Sequence, residues 1–119
     1  TDEDRLKKAI DVSRLYEITI VLKGKYTKTV RPDGKVYINS TGNPGLATAG
    51  TGDVLTGVIA AFIAQGYAPD WSVALGVYVH GLAGDIAVQE QGSHGLIAPD
   101  VANAVGKAIQ HIILNNAID

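Results

Sequence analysis

Ile18–Leu22 (ITIVL) is a continuous apolar run dominated by β-branched residues. A run of this kind marks a strand covered on both faces, as in a parallel sheet. The rest of the sequence offers no second segment like it. A parallel strand needs parallel neighbours, so the chain is expected to form only part of a larger α/β domain. That limits what the remaining segments can build.

Before this strand, Asp2 to about Glu17 reads as an amphipathic helix. Leu6, Ala9, Ile10, Val12, Ser13 and Tyr16 form its inner face, and Thr1 is placed to cap it. Asp2, Glu3 and Asp4 suit the positive end of the helix dipole. After the strand, Thr27–Arg31 and Lys35–Ser40 alternate in character, and Arg-Pro-Asp-Gly (31–34) joins them as a hairpin. A loop rich in Gly, Pro, Asn and Thr follows, to about Thr51. Three helices complete the pattern, at about Asp53–Gln65, Pro69–Gln91 and Pro99–Asn115. Pro69 and Pro99 suit first turns, and Gly66 and Gly92 suit helix ends. The inventory is helix, buried strand, hairpin and three helices.

Composition removes several functions. The 119 residues carry a net charge of −2, which gives no electrostatic case for nucleic acid or an anionic membrane. Cysteine is absent, so disulfides, thiolate catalysis and cysteine-based metal sites are excluded, and a reducing compartment is compatible. His80, His94 and His111 lack metal-ligand spacing. The apolar runs Val54–Ala64 and Val73–Val79 fall short of the roughly 20 residues of a membrane span and read as buried helices. The opening TDEDRLKKAI is charged rather than signal-like, and Thr1 in place of Met is in keeping with a processed or excised chain.

The chemistry concentrates in Asn43–Gly57, NPGLATAGTGDVLTG. Glycines let a backbone approach a ligand closely. The first turn of a helix leaves N–H groups unpaired, and together these features make an anion site. Gly50 and Gly52 fall where the apolar helix begins, so phosphate oxygens are the natural guests. No Lys follows Gly52, so this is not a P-loop, and the spacing to Gly57 is not G-x-G-x-x-G. Asp53 has two readings at this stage. It caps the helix, or it takes the proton from a hydroxyl that attacks a bound phosphoryl group. Helix-end amides would weaken such a base, which still serves if its proton moves late.

The string Asn43–Gly66 closely resembles the signature of the ADP/ATP-dependent NAD(P)H-hydrate dehydratases, in the ribokinase-like superfamily. Val21–Thr27 (VLKGKYT), Tyr78–Ala87 (YVHGLAGDIA) and Gly95–Val101 (GLIAPDV) are also similar to that family, in the same order. The resemblance spans nearly the whole chain. It implies a three-layer α/β/α sandwich of which residues 1–119 form the C-terminal part, with the N-terminal half supplied from elsewhere. It implies Asp53 as the catalytic and substrate-contacting aspartate, and Gly50, Thr51 and Gly52 as an anion hole. It implies nucleotide contacts from Lys23, Gly24, Lys25, Tyr26, Thr27, Asn43 and Gly52. ADP or ATP, with Mg²⁺ on its phosphates, would serve as co-substrate for a hydrated NADH or NADPH. The resemblance further implies a cytoplasmic homo-oligomer. A ribokinase-like kinase for a vitamin-precursor alcohol and a non-catalytic nucleotide-binding module are the rival readings. Many members have a glycine where this chain has Ala49, so a positive φ there would distort the hole.

Outside the motif, Gly76, Gly81 and Gly84 interrupt one helix, and close backbone packing is their expected return. His80 reads as a satisfied core histidine, Asp85 as a backbone or solvent partner, and Trp71 as a packing anchor or interface residue.

Overall fold

The computed structural model describes residues 1–92 and 94–116. Helix α1 spans Asp2–Tyr16 and opens with the expected cap: the Asp4 amide donates to Thr1 Oγ1 in a full capping box. Its inner face is narrower than the pattern implied. Ala9 and Ser13 are buried, while Tyr16 is exposed at the helix end. Glu17 closes the helix in the left-handed region, and its N–H bonds back to the Ser13 carbonyl.

Three strands follow: β1 (Ile20–Leu22), β2 (Lys28–Val30) and β3 (Val36–Ile38), in the order β1-β2-β3. The hairpin is present, with Thr29 opposite Tyr37 and Val30 opposite Val36. The expectation for β1 needs correction. It pairs antiparallel with β2, Val21 opposite Thr29, so the sheet is a meander. Residues Ile20–Leu22 are half-buried rather than covered on both faces. The physical reason is that one edge of β1 carries β2, while its other edge has no strand among the described residues.

The pleat puts Val21, Thr29 and Tyr37 on one face, where Tyr37 lies 5.8 Å from Trp71 across ring centroids. Ile20, Val30 and Val36 share the other face, and α1 packs against β1 and β2. Arg31, beside the hairpin turn, donates to Tyr37 Oη at 2.8 Å. Its Nε sits 3.3 Å from Asp70 Oδ2, close enough for ion pairing though not aligned for a hydrogen bond. Thr19 donates to the same Asp70 carboxylate. The sheet is thus tied to the start of the next long helix but one.

Helices α2 (Thr51–Ala64), α3 (Pro69–Gln91) and α4 (Ala98–Asn116) pack on one another. Phe62, Val79, Ala83, Ala87, Leu96, Val101, Ala104 and Ala108 make the core between them. Helix α3 is longer than its most apolar run and passes, by length and composition, as a possible membrane span. Here it is the central helix, touching both α2 and α4. Its glycines serve close approach: a Cβ on Gly76 would lie 2.6 Å from Ile59 Cγ1, and one on Gly84 2.7 Å from Leu46 Cδ2.

Candidate functional site

The β1–β2 loop, the segment after β3, the start of α2 and the middle of α3 surround one cleft of about 1120 Å³. Lys23, Gly24, Lys25, Tyr26, Thr27, Asn43, Gly50, Thr51, Gly52 and Asp53 all line it. The fold therefore brings together every site residue expected from the sequence, from two segments separated by residues 28–42.

The start of α2 is built by Gly50, which takes φ 90° and acts as N-cap without a side chain. An L side chain at that φ would be strained. Ala49 is not among the positive-φ residues, so the expected hazard at that position does not arise. The helix begins two residues earlier than its sequence pattern, which makes Asp53 its third residue. Asp53 is therefore not the N-cap. Its side chain is exposed and makes no hydrogen bond among the described residues. It is also the one carboxylate lining the cleft among those residues.

The amides divide unequally. The Thr51 N–H donates to the Thr48 carbonyl at 3.3 Å, and its hydroxyl donates to Leu46 and Thr48 carbonyls at 2.5 and 3.0 Å. Thr51 is buried and its polar groups are spent on holding the preceding 3₁₀ turn, Pro44–Ala47. The amides of Gly50, Gly52 and Asp53 have no acceptor among the described residues. They stand at the positive end of a helix dipole, which favours an anion. Lys23 adds to that field. Its ammonium lies so near Gly52 that a Cβ there would come within 3.0 Å of Nζ.

The opposite wall is a tight loop. Thr27 Oγ1 donates to the Gly24 carbonyl at 3.0 Å, which closes the turn across Lys25 and Tyr26. Tyr26 sits at φ 59°, a left-handed conformation that a bulky residue seldom adopts. Its ring is exposed, with Lys25 Nζ 5.4 Å from its centroid.

Two contributions from α3 escaped the sequence reading. His80 is a satisfied core histidine, as its apolar helix implied, but it also lines the cleft. Its Nε2 lies 2.9 Å from the Thr51 carbonyl, so Nε2 carries the proton. Burial pushes the imidazole below its ordinary pKa; the Thr51 hydrogen bond opposes this and the Lys23 charge reinforces it. Asp85 accepts from the Gly42 amide at 3.0 Å and from Asn43 Nδ2 at 2.8 Å. Asn43 Oδ1 in turn accepts from the Gly45 amide at 2.9 Å. Asn43 lines the cleft, but both ends of its side-chain amide are engaged within the protein.

Comparison with known proteins places the chain in a family. A family profile described as NAD(P)H-hydrate dehydratase matches residues 1–107. The chain belongs to the NAD(P)H-hydrate dehydratase family. A bifunctional NAD(P)H-hydrate repair enzyme of Moorella thermoacetica is 46% identical over 110 residues, covering 92% of this chain and 21% of the relative. An ADP-dependent (S)-NAD(P)H-hydrate dehydratase of Neisseria meningitidis is 39% identical over 102 residues, 85% of this chain and 34% of its own length. Among solved structures, the Bacillus subtilis ADP/ATP-dependent NAD(P)H-hydrate dehydratase, co-crystallized with ATP and Mg²⁺, superposes with a TM-score of 0.85 at 32% identity. That match covers 92% of this chain and 40% of the neighbour, so the fold is that of the dehydratase, present in part. The chain spans about a fifth to a third of the length of these curated relatives.

Proposed function

We propose that the protein containing this dehydratase segment restores NADH or NADPH from its hydrate, with ADP or ATP as phosphoryl donor. The observation that carries the reading is the pairing of a lone carboxylate, Asp53, with unpaired amides and the Lys23 ammonium at one helix start. The amides of Gly50, Gly52 and Asp53 would hold the terminal phosphates, with Lys23 and the Gly24–Thr27 loop along the nucleotide. In this scheme Asp53 accepts the proton of the hydrate's hydroxyl as its oxygen attacks the terminal phosphoryl group. The anion hole offsets charge on the phosphoryl oxygens. Phosphate then departs with the C–O bonding pair, the ring nitrogen donating electron density, and an adjacent proton is lost to regenerate the dihydropyridine.

The donor set suits Mg²⁺ that arrives on the nucleotide. Among the described residues no group of three carboxylates or imidazoles could hold a metal, and one carboxylate lines the cleft. Mg²⁺ commonly binds through one or two carboxylates plus substrate phosphates. Asp53 is the residue that would share it, and the ion would neutralise phosphate charge.

We further assign residues 1–119 to the C-terminal part of one domain, whose upstream half covers the open edge of β1. Cytoplasmic residence and homo-oligomerisation, through a surface that includes exposed Trp71, belong to the same reading. Asp53→Asn in the full-length protein is the test. Supplied with hydrated NADH and ATP, the variant is expected to lose recovery of dihydronicotinamide absorbance by about 10²-fold or more while ATP affinity stays near wild type. Unchanged turnover would reduce Asp53 to a surface residue. A wild type that phosphorylates an alcohol yet leaves the hydrate untouched would favour the kinase reading.

A further inference from the structure

We infer that Asp85 is a positioning residue for the nucleotide site, acting through Asn43 and the segment that leads into α2. The inference rests on the proposed nucleotide role of this cleft. Asp85 does not line the cleft, and it has no cationic partner among the described residues. A half-buried carboxylate without a cation needs other donors, and it finds two on one short segment: the Gly42 amide and Asn43 Nδ2.

The placement of those donors is specific. Gly42 stands at φ 108° and passes 3.8 Å, measured from an added Cβ, from the Gly81 Cα of α3. Thr41 Oγ1 donates to the Tyr78 carbonyl at 2.9 Å, one turn earlier on the same helix. The segment therefore lies directly on α3, and Asp85 fixes where it leaves. From there the hydrogen bonds run in one direction. Asn43 holds Gly45, the 3₁₀ turn and the Thr48 that closes it present the Leu46 and Thr48 carbonyls, and Thr51 bonds both at the first residue of α2. His80 reaches the Thr51 carbonyl from the same helix. Asp85 thus sets one end of a strap whose other end carries the unpaired amides beside Asp53. Asn43 acts on the nucleotide through backbone placement, since its side-chain oxygen and nitrogen are both committed.

The contact has a polarity that can be exchanged. Asp85→Asn sets an amide NH₂ against Asn43 Nδ2, and Asn43→Asp sets two carboxylates together. The double variant restores the complement: the carboxylate at 43 accepts from Gly45 and from the amide at 85, whose carbonyl still accepts from Gly42. In the full-length protein, ATP affinity by calorimetry and amide exchange at Gly42 and Gly45 are measured well below each variant's unfolding midpoint. Each single variant is expected to weaken ATP binding about tenfold and to speed exchange, and the exchanged pair to recover both to within about threefold. Folded single variants that bind ATP and exchange as wild type would overturn the inference. So would a double variant no better than the worse single one, in folding or in binding. If wild-type protein binds no ATP, the nucleotide reading fails by itself, and exchange at Gly42 and Gly45 still decides the strap.

Discussion

Replacing Gly81 with alanine tests how closely the cleft floor is seated on α3. An added Cβ would lie 2.1 Å from Thr41 Oγ1 and 2.8 Å from the Thr41 carbonyl carbon, far inside the 3.4 Å at which ordinary contact begins. The second of these is backbone, so a side-chain rotation cannot relieve it. Overpacking of this kind costs about 1–3 kcal/mol. Moving Thr41 also breaks its bond to the Tyr78 carbonyl, worth about 1 kcal/mol. Alanine returns about 1 kcal/mol of helix propensity. The balance is a loss of about 1–3 kcal/mol. Gly57, in the interior of α2, is the control, because a Cβ there meets nothing within 4 Å. The same substitution at Gly57 is expected to stabilise by about 0.5–1 kcal/mol. Urea denaturation of full-length protein reads both, with Gly81→Ala shifting the midpoint down and Gly57→Ala up. Gly81→Ala as stable as Gly57→Ala would refute the claim that Thr41 rests on the bare backbone of α3.

His80 gives a pH signature. Its folded-state pKa lies below the ordinary 6.5, so the unfolded chain binds the extra proton first as pH falls. The corresponding stability is present above about pH 6.5 and is lost progressively below it, and His80→Gln, which keeps a donor to the Thr51 carbonyl, should flatten that part of a stability–pH profile. A variant profile parallel to wild type would remove His80 from the account. Lys23→Gln should weaken ATP binding about tenfold at low ionic strength, with the deficit shrinking in high salt, as titration calorimetry at two salt concentrations would read. An equal deficit at both would mean that the loss is not electrostatic.

Much of this architecture was legible because local signals agreed. Thr1 with Asp4, the turn after Arg31 and Pro69 each has a mechanism that acts within a few residues, and each element appeared where that mechanism put it. The start of α2 was displaced because Thr51 and Gly52 are poor helix formers in isolation. The structure recruits them through Thr51's bonds to a 3₁₀ turn whose Asn-Pro-Gly start signals a turn but not its contact with Thr51. The pairing direction of β1 was misread for a related reason. A continuous apolar run reports burial by any neighbour, and it carries no information on strand polarity. His80 and Asp85 gave no indication of their contacts, since these join residues 29 and 42–43 positions apart.

The moorings of residues 41–51, to α3 and through Thr48 to the Leu96 carbonyl, carry a kinetic consequence. With Thr41, Gly42, Asn43 and Thr51 all bonded to α3 or to one another, that wall is tied to the long helix at both its ends. On the proposed nucleotide reading, entry and release would fall to the facing wall. There the loop tip bearing Lys25 and Tyr26 is closed by the Thr27 hydroxyl on the Gly24 carbonyl. On that reading residence time is set at residues 23–27, while the anchored side determines how well the guest is aligned once it has arrived.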